Sequence, residues 1–472
     1  MIGAGGSAYE VVVVGAGPAG LAAAATTAGA GLATLLLDEN PAPGGQIYRA
    51  ITATPVRERT ILGDDYWAGA ALLAEAAASG AEIVQGATVW SLDPSRELAV
   101  SCAGASRFIR AHRVILATGA LERPFPIRGW TLPGVMTAGA LQTLLKTSAL
   151  VPEGRVVLAG TGPLMWLVAA QLLRAGARIK ALLDTTPAGN YLRALPHVAT
   201  FALSRYLAKG LALRREVVRQ VPVVRGVTQL RAEGQGFLAG IAYRAGSRGE
   251  ERLRADVLAL HQGVVPNVNL AIAAGVAHRW HPLQLCWVPV LDGVGNSPIA
   301  GIAIAGDGAG IGGALAAEAR GRLAGLAAIE AIAPERAARV PDRQFVEQAL
   351  LRAERGRGLL DRLFAPPRWS RVPEGDTMVC RCEEVTAAQL VEAVGIGATG
   401  PNQAKAFLRC GMGPCQGRLC GLTVTELIGE ARGVAPAEVG YYRLRPPVKP
   451  IALAELAAMA HTEQAVAAVV RE

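Results

Sequence analysis

Five of the chain's seven cysteines fall between residues 380 and 420, in VCRC (379–382) and RCGMGPCQGRLC (409–420). Cys380 and Cys382 form a C-x-C pair, 32 residues separate Cys382 from Cys415, and four separate Cys415 from Cys420. Thiolates at this density are soft metal ligands, and the chemistry open to them is iron–sulfur or zinc binding. Structural zinc sites usually space paired cysteines by two to four residues, so a C-x-C pair fits iron–sulfur chemistry better. Four ligands suffice, which leaves one cysteine over. Cys410 and Cys415 have the same spacing as Cys415 and Cys420, so spacing alone leaves two choices of second pair. Cys102 and Cys286 each stand alone among apolar or small neighbours and read as packing residues.

A second chemistry is written in glycine. VVVVGAGPAG (11–20) joins four β-branched residues to Gly15, Gly17 and Gly20, with Pro18 and Ala19 opening an alanine-rich helix. Strand, tight turn and helix N-terminus together make a pyrophosphate site: the first glycine turns, the second admits the phosphate, the third lets helix and strand touch. The strand ATLLLDE then ends in Asp38 and Glu39, at the distance where a carboxylate meets the ribose of an adenine dinucleotide. VVLAGTGPLMW (156–166) repeats the pattern with Gly160 and Gly162, and Asp184 ends the strand that follows. Met165 replaces the third glycine, and its bulk is expected to push helix from strand and weaken NAD(P)H binding. A retained scaffold, or a site for some other nucleotide or flavin there or at a subunit interface, is the alternative.

The elements that position these groups follow from local signals. Two strand–glycine–helix units predict an α/β protein with two Rossmann-like dinucleotide-binding domains. Thr386 and Gln389 make a capping box before an apolar-periodic helix, and Gly411 should end a second helix through KAFLRC. Two short helices and a glycine-rich turn would bring the cysteines together in a small α-helical domain. Residues 352–375 are arginine-rich, then proline-rich, and predict a helix followed by an extended linker; RLRPPVKP in the tail favours extended chain packed on a surface.

Composition excludes several classes. The net charge of +9 comes from scattered arginines without a basic run, and aromatics are 5% of residues, so nucleic acid is not expected as a partner. The basic surface reads as a solvated face, with an acidic partner subunit or peripheral contact with anionic lipid as the alternative. Residues 16–37 carry no charge, yet their glycines and Pro18 argue against a membrane span. The start MIGAGGSAYE lacks a signal-peptide pattern, and free thiols suit a reducing, cytoplasmic setting. The six histidines are dispersed, with no histidine–carboxylate pair near a motif, so no substrate-side catalytic residue is assigned.

VILATG (114–119), GIAIAGDGAG (301–310) and PGGQ (43–46) resemble the later motifs and flavin-side loop of two-dinucleotide-domain flavoproteins, similar in fold to glutathione reductase. That resemblance implies FAD in the first site, bound by the residues above with Gly44, Gly45 and Gln46 along the flavin and Asp307 on the ribityl chain. It also brings Val89, Thr118, Gly119 and Gly306 to the cofactor. The disulfide reductases of that family need a redox cysteine pair beside the flavin, which is missing here, so thiol substrates are not expected.

The cysteine stretch resembles the bacterioferritin-associated ferredoxin family, which implies a 2Fe–2S cluster on Cys380, Cys382, Cys415 and Cys420, with Cys410 a spare. The implied organisation is an FAD domain over 8–123 and 286–345, a second dinucleotide domain over 124–285, a linker over 346–375, a cluster domain over 376–432 and a tail over 433–472. With ERPFPIRGWTLPGVMTAGALQ (122–142) and AGTGPL (159–164), nearly the whole chain resembles FAD and iron–sulfur subunits of heteromeric bacterial dehydrogenases: opine oxidases, D-hydroxyproline dehydrogenase and hydrogen cyanide synthase. This implies an electron-transfer subunit beside a D-amino-acid-oxidase-like FAD subunit that oxidises a C–N bond, and a small ferredoxin-like subunit. The alternatives are a self-sufficient NAD(P)H-dependent reductase feeding its own cluster, or a subunit of a glycine-oxidising hydrogen cyanide synthase.

Overall fold

The computed structural model describes residues 9–459. The expected domain start at residue 8 and the tail residues 460–472 lie outside that range. The first lobe is built on the strand Tyr9–Val14, whose valines are buried on both faces, as a central parallel strand requires. It pairs in parallel with Thr34–Asp38 on one side and with Ala105–Leu116 on the other. Glu82–Gln85 adds to one edge, and Ala87–Leu92 and Glu97–Cys102 extend the other as an antiparallel meander. Ile302–Ile304, far along the chain, pairs beside Val114–Leu116 and completes the sheet. The uncharged stretch 16–37 is thus a turn, the helix Pro18–Gly29 and a strand. Among the described residues no helix is long and apolar enough to cross a membrane.

The helix Pro18–Gly29 packs against the 19-residue helix Ala314–Ile332 through alanines and glycines. A Cβ on Gly321 would meet the backbone oxygen of Ala19 at 2.1 Å, so this close crossing depends on glycine. The second lobe holds a five-stranded parallel sheet ordered Val223–Arg225, Ile179–Asp184, Val156–Thr161, Val257–Gln262, Val135–Thr137. A three-stranded antiparallel sheet, 227–254, packs on one face through Leu230, Ile241 and Tyr243. The chain crosses between lobes twice, at Ala120–Glu122 and Val264–Pro266, and these two segments pair with each other.

Three short helices, Ala188–Ala194, Val198–Ala202 and Tyr206–Val218, lie between the lobes and pack on Leu359 and Leu360. The segment expected as helix then extended linker is helical over Arg343–Glu354 and Arg357–Leu363, with a last turn at Arg368–Arg371. Beyond it come a two-stranded ribbon at Met378–Cys380 and Val385–Thr386 and the helices Ala387–Gly395, Pro401–Leu408 and Gly421–Arg432. The capping box is present: Gln389 N donates to Thr386 Oγ1, and Thr386 N donates to Gln389 Oε1. The stop expected at Gly411 comes earlier, at Leu408, where Arg409 takes up the left-handed conformation (φ +56°).

Two devices fasten this domain to the rest. Arg123, buried at the first crossing, donates to the carbonyls of Gln284 and Leu285 and lies 3.8 Å from Glu426, which Arg371 also contacts. The tail forms a strap: Val448 N donates to Trp90 O, Arg418 donates to Val448 O, and Lys449 pairs with Glu39 at 2.6 Å.

Candidate functional site

The first glycine turn is shaped by its neighbours. A Cβ on Gly20 would lie 1.7 Å from the Gly15 oxygen, so only glycine lets the helix start this close to the strand. Pro18 and Ala19 form its buried first turn. Gly45, at φ +59°, sits against the turn, since its Cβ would be 2.7 Å from Gly17 Cα, and Gly44 N donates to Ala16 O. The PGGQ loop therefore closes over the turn, as an FAD cradle requires. Asp38 accepts from the N–H groups of Ala16 (2.5 Å) and Asn40 (2.7 Å), so its carboxylate braces the turn from within the protein. Glu39 is the more exposed of the two acids and holds Lys449.

The opposite wall comes from the late motif. Asp307 Oδ1 accepts from Gly312 N (2.8 Å) and Gly313 N (3.0 Å), capping the approach to the long helix, and Gly306 packs on Ala19. Thr118 Oγ1 donates to Asn267 O and Gly119 O accepts from Asn267 N. These residues, with the glycine turn and PGGQ, line one crevice at the C-terminal ends of the first sheet, where such folds bind ligands. Val89 is buried in the core behind it, with Leu35, Leu37 and Val100. The glycine clearances and the free helix N-terminus fit a dinucleotide.

Sequence reasoning missed Lys146. From the helix Ala138–Ser148 of the second lobe, its ammonium donates to Gln46 O (3.0 Å), Ile47 O (2.9 Å) and Gln142 Oε1 (3.1 Å). Burial, with the Arg49 cation adding to it, pulls its pKa down to about 7. Gln142 passes the chain on to Gln171, which donates to Leu62 O.

The second glycine turn is also formed, but a histidine stands at it. His261 Nδ1 is 2.6 Å from Glu122 Oε1, and a Cβ on Gly162 would be 3.4 Å from His261 Nε2. The expectation of no histidine–carboxylate pair near a motif is corrected here: the two residues come from different strands, 139 positions apart. Met165 is fully buried among Ala138, Leu141 and Val168, so its bulk is taken up by helix packing. Asp184 is buried and accepts from Thr186 N.

The five clustered cysteines form a buried group of three and a more exposed pair. The sulfurs of Cys380, Cys410 and Cys420 lie within 4.8 Å of one another, all buried. Cys410, expected as a spare, thus joins the group, and the Tyr442 hydroxyl donates to its sulfur (3.4 Å). Cys382 is exposed, with the backbone N–H and sulfur of Cys415 beside it. Hydrogen bonds from the Cys410 and Cys420 thiols pull the Cys380 thiol well below its ordinary value; the same contacts raise Cys410 and Cys420. A thiolate already favoured amid further thiols, with no histidine or carboxylate in the buried group, fits a thiolate-held metal centre. Cys286 is apart from them, its thiol raised to about 11 by burial, as a packing residue should be.

Comparison with known proteins finds two families along the chain. The family described as pyridine nucleotide-disulphide oxidoreductase matches residues 9–325, and the one described as sarcosine oxidase A3 domain matches residues 374–460. An opine oxidase subunit of Agrobacterium tumefaciens (strain Ach5) is 46% identical, over 98% of this chain and 94% of its own. Hydrogen cyanide synthase subunit HcnB of Pseudomonas aeruginosa is 31% identical, over 93% of this chain and 96% of its own. Among solved structures, the L-proline dehydrogenase of P. horikoshii superimposes with a TM-score of 0.72 at 19% identity, over 95% of this chain and 79% of that one, and shares the fold.

Proposed function

Because the chain belongs to the pyridine nucleotide-disulphide oxidoreductase family, we propose that it is the FAD- and 2Fe–2S-bearing electron-transfer subunit of a heteromeric amino-acid or opine dehydrogenase. A partner subunit similar to D-amino acid oxidases oxidises the C–N bond of a secondary amine, and this chain passes the electrons to an acceptor. The observation that carries the proposal is a buried group of three thiols, with Cys382 and Cys415 paired near it in sequence, on the same chain as a dinucleotide cradle. When bound, FAD accepts electrons in pairs and a 2Fe–2S cluster carries them singly. The relatives named as subunits of opine oxidase and of hydrogen cyanide synthase support the heteromer.

In this assignment the turn at Gly15, Gly17 and Gly20 binds the pyrophosphate, Asp38 keeps Ala16 N–H in place, and Glu39 serves the ribose. Lys146 fixes the Gln46–Ile47 backbone along the flavin, and Asp307 closes the ribityl side. Cys380 and Cys420 from the buried group, with Cys382 and Cys415 at the lip, hold the cluster; Cys410 stays a thiol beneath Tyr442. A second nucleotide could occupy only the crevice of the other lobe or a subunit interface, and His261 would be its neighbour in the first case.

The test is the visible spectrum of the full purified chain with iron, acid-labile sulfide and released flavin per chain. About one FAD and two irons, giving a yellow-brown protein, is the expected result. A colourless, zinc-loaded chain sinks the proposal. A self-sufficient NAD(P)H reductase remains the second reading, because the Gly160–Gly162 turn still opens a 12-residue helix.

A further inference from the structure

The helical segment 188–218 has two unlike sides. Inward, Phe201 and Tyr206 pack on Leu359 and Leu360, and the Tyr206 hydroxyl donates to Ala353 O (3.0 Å) and lies 3.9 Å from the position a Cβ would take on Gly313, at the ribityl wall of the flavin crevice. Several of its charges are already paired within the chain: the exposed Arg205 and Lys209 both reach Asp65, and Glu216 pairs with Arg174 at 2.5 Å. Outward, Leu203 is 74% exposed, Leu192 71%, Leu195 60% and Leu211 56%, with Tyr191 and Val198 about half exposed. Around them Arg193, Arg214, Arg215 and Arg219 are exposed and carry no ion pair among the described residues.

Scattered exposed leucines are ordinary, but this many within twenty residues is a patch, and such patches on soluble chains mark contact faces. An apolar centre ringed by arginine has the composition of a protein–protein interface. The charge selects the occupant. A second copy docked through the same face would bring four more arginines and no unpaired carboxylate from this segment to meet them, which costs rather than stabilises. An anionic bilayer asks for one amphipathic helix lying flat; here the exposed leucines are divided between a helical run over 188–202 and the helix Tyr206–Val218, with Leu203 in the break between them.

We infer that the outer face of 188–218 is where a different, acidic protein subunit docks, its carboxylates meeting Arg193, Arg214, Arg215 and Arg219 and its apolar residues covering Leu192, Leu195 and Leu203. This rests on the heteromeric reading above and adds where the partner sits: directly over the flavin crevice, so the segment forms the wall between the two subunits' cofactors. The side chains that make the inner contacts do not take part, so the outer ones can be altered without touching the cradle.

The test tags the full chain in its source organism, purifies the assembly, and compares hydroxyl-radical labelling of Leu192, Leu195 and Leu203 with that of the chain produced alone. The expected result is a stoichiometric second polypeptide and at least a fivefold drop in labelling of these leucines. Leu192→Asp with Leu203→Asp should release the second polypeptide while flavin absorbance and thermal midpoint hold. Arg214→Glu with Arg215→Glu should weaken the assembly at least tenfold and reduce its salt dependence. If no second polypeptide co-purifies, the heteromeric reading fails and the docking face with it. If one co-purifies while labelling is unchanged and both variants retain it, the heteromer stands and this face is wrong. Protection that arises only by self-association, or only on phosphatidylglycerol vesicles, also overturns the inference.

Discussion

The ammonium of Lys146 donates to the backbone carbonyl of Gln46 across 3.0 Å, joining a helix of the second lobe to the loop that closes the first lobe's cradle. All three of its protons are used on carbonyl oxygens, so the charge is buried without a carboxylate in contact. The bond is a tie between lobes as much as a local brace.

Lys146→Met should loosen that tie. Losing the ammonium leaves three buried carbonyl oxygens unpaired, at about 1–3 kcal/mol each before relaxation, and the affinity for FAD should fall at least tenfold by fluorescence titration. The pH dependence has a definite sign. The native pKa is about 7 against an ordinary 10.5, so below pH 7 both states hold the proton and the cost of burying the charge is present in full. Between pH 7 and 10 the unfolded chain binds more protons, and wild-type stability should rise relative to Lys146→Met, by at most about 1.4 kcal/mol per pH unit. A pH-independent difference between the two proteins overturns the assignment.

Glu426 stands between the buried guanidinium of Arg123 and the half-buried one of Arg371. Glu426→Ala should strip both of their partner and cost about 3–5 kcal/mol. The cysteine domain should then detach first, seen as protease cleavage near residues 365–375 before the lobes unfold. Adding Arg371→Met should recover part of the loss, and a double-mutant cycle with no coupling would show that the contact is idle.

The thiols divide by role. Cys415→Ala and Cys420→Ala should each lose iron and sulfide, whereas Cys410→Ala should keep both and lose about 1 kcal/mol from packing under Tyr442. Apo protein from Cys410→Ala, with iron retained in Cys420→Ala, would move the ligand role to Cys410, whose sulfur already lies in the buried group.

NADH and NADPH should reduce the flavin slowly, with no bleaching within seconds in stopped flow. The imidazole of His261, held by Glu122, stands at the second glycine turn where a pyrophosphate would approach. Rapid bleaching would favour the self-sufficient reductase instead.

The glycine turns, the capping box at Thr386 and the crowding of cysteines are local patterns, so a single sequence displays them. Residues whose partners lie far along the chain are another matter. Lys146 meets Gln46 from 100 positions away, and His261 meets Glu122 from 139; neither pairing leaves a periodicity or spacing to read. The leucines of 188–218 leave no such signal either: only the packing of Phe201 and Tyr206 inward shows that the others face out. Spacing leaves Cys410 and Cys420 as equal partners for Cys415, and only the fold shows that both of their sulfurs lie beside that of Cys380.

The first sheet opens at Tyr9 and is completed only by Ile302–Ile304, which slots in beside Val114–Leu116. On the ribosome, where amino-terminal domains ordinarily finish first, this lobe must wait with an unfilled edge until the whole second lobe has emerged. The order of maturation is therefore inverted: the second lobe, encoded without interruption, can be a folded body while the first is still open. The cradle for the dinucleotide, whose far wall is Gly306 and Asp307, comes into being in the same moment as that last strand.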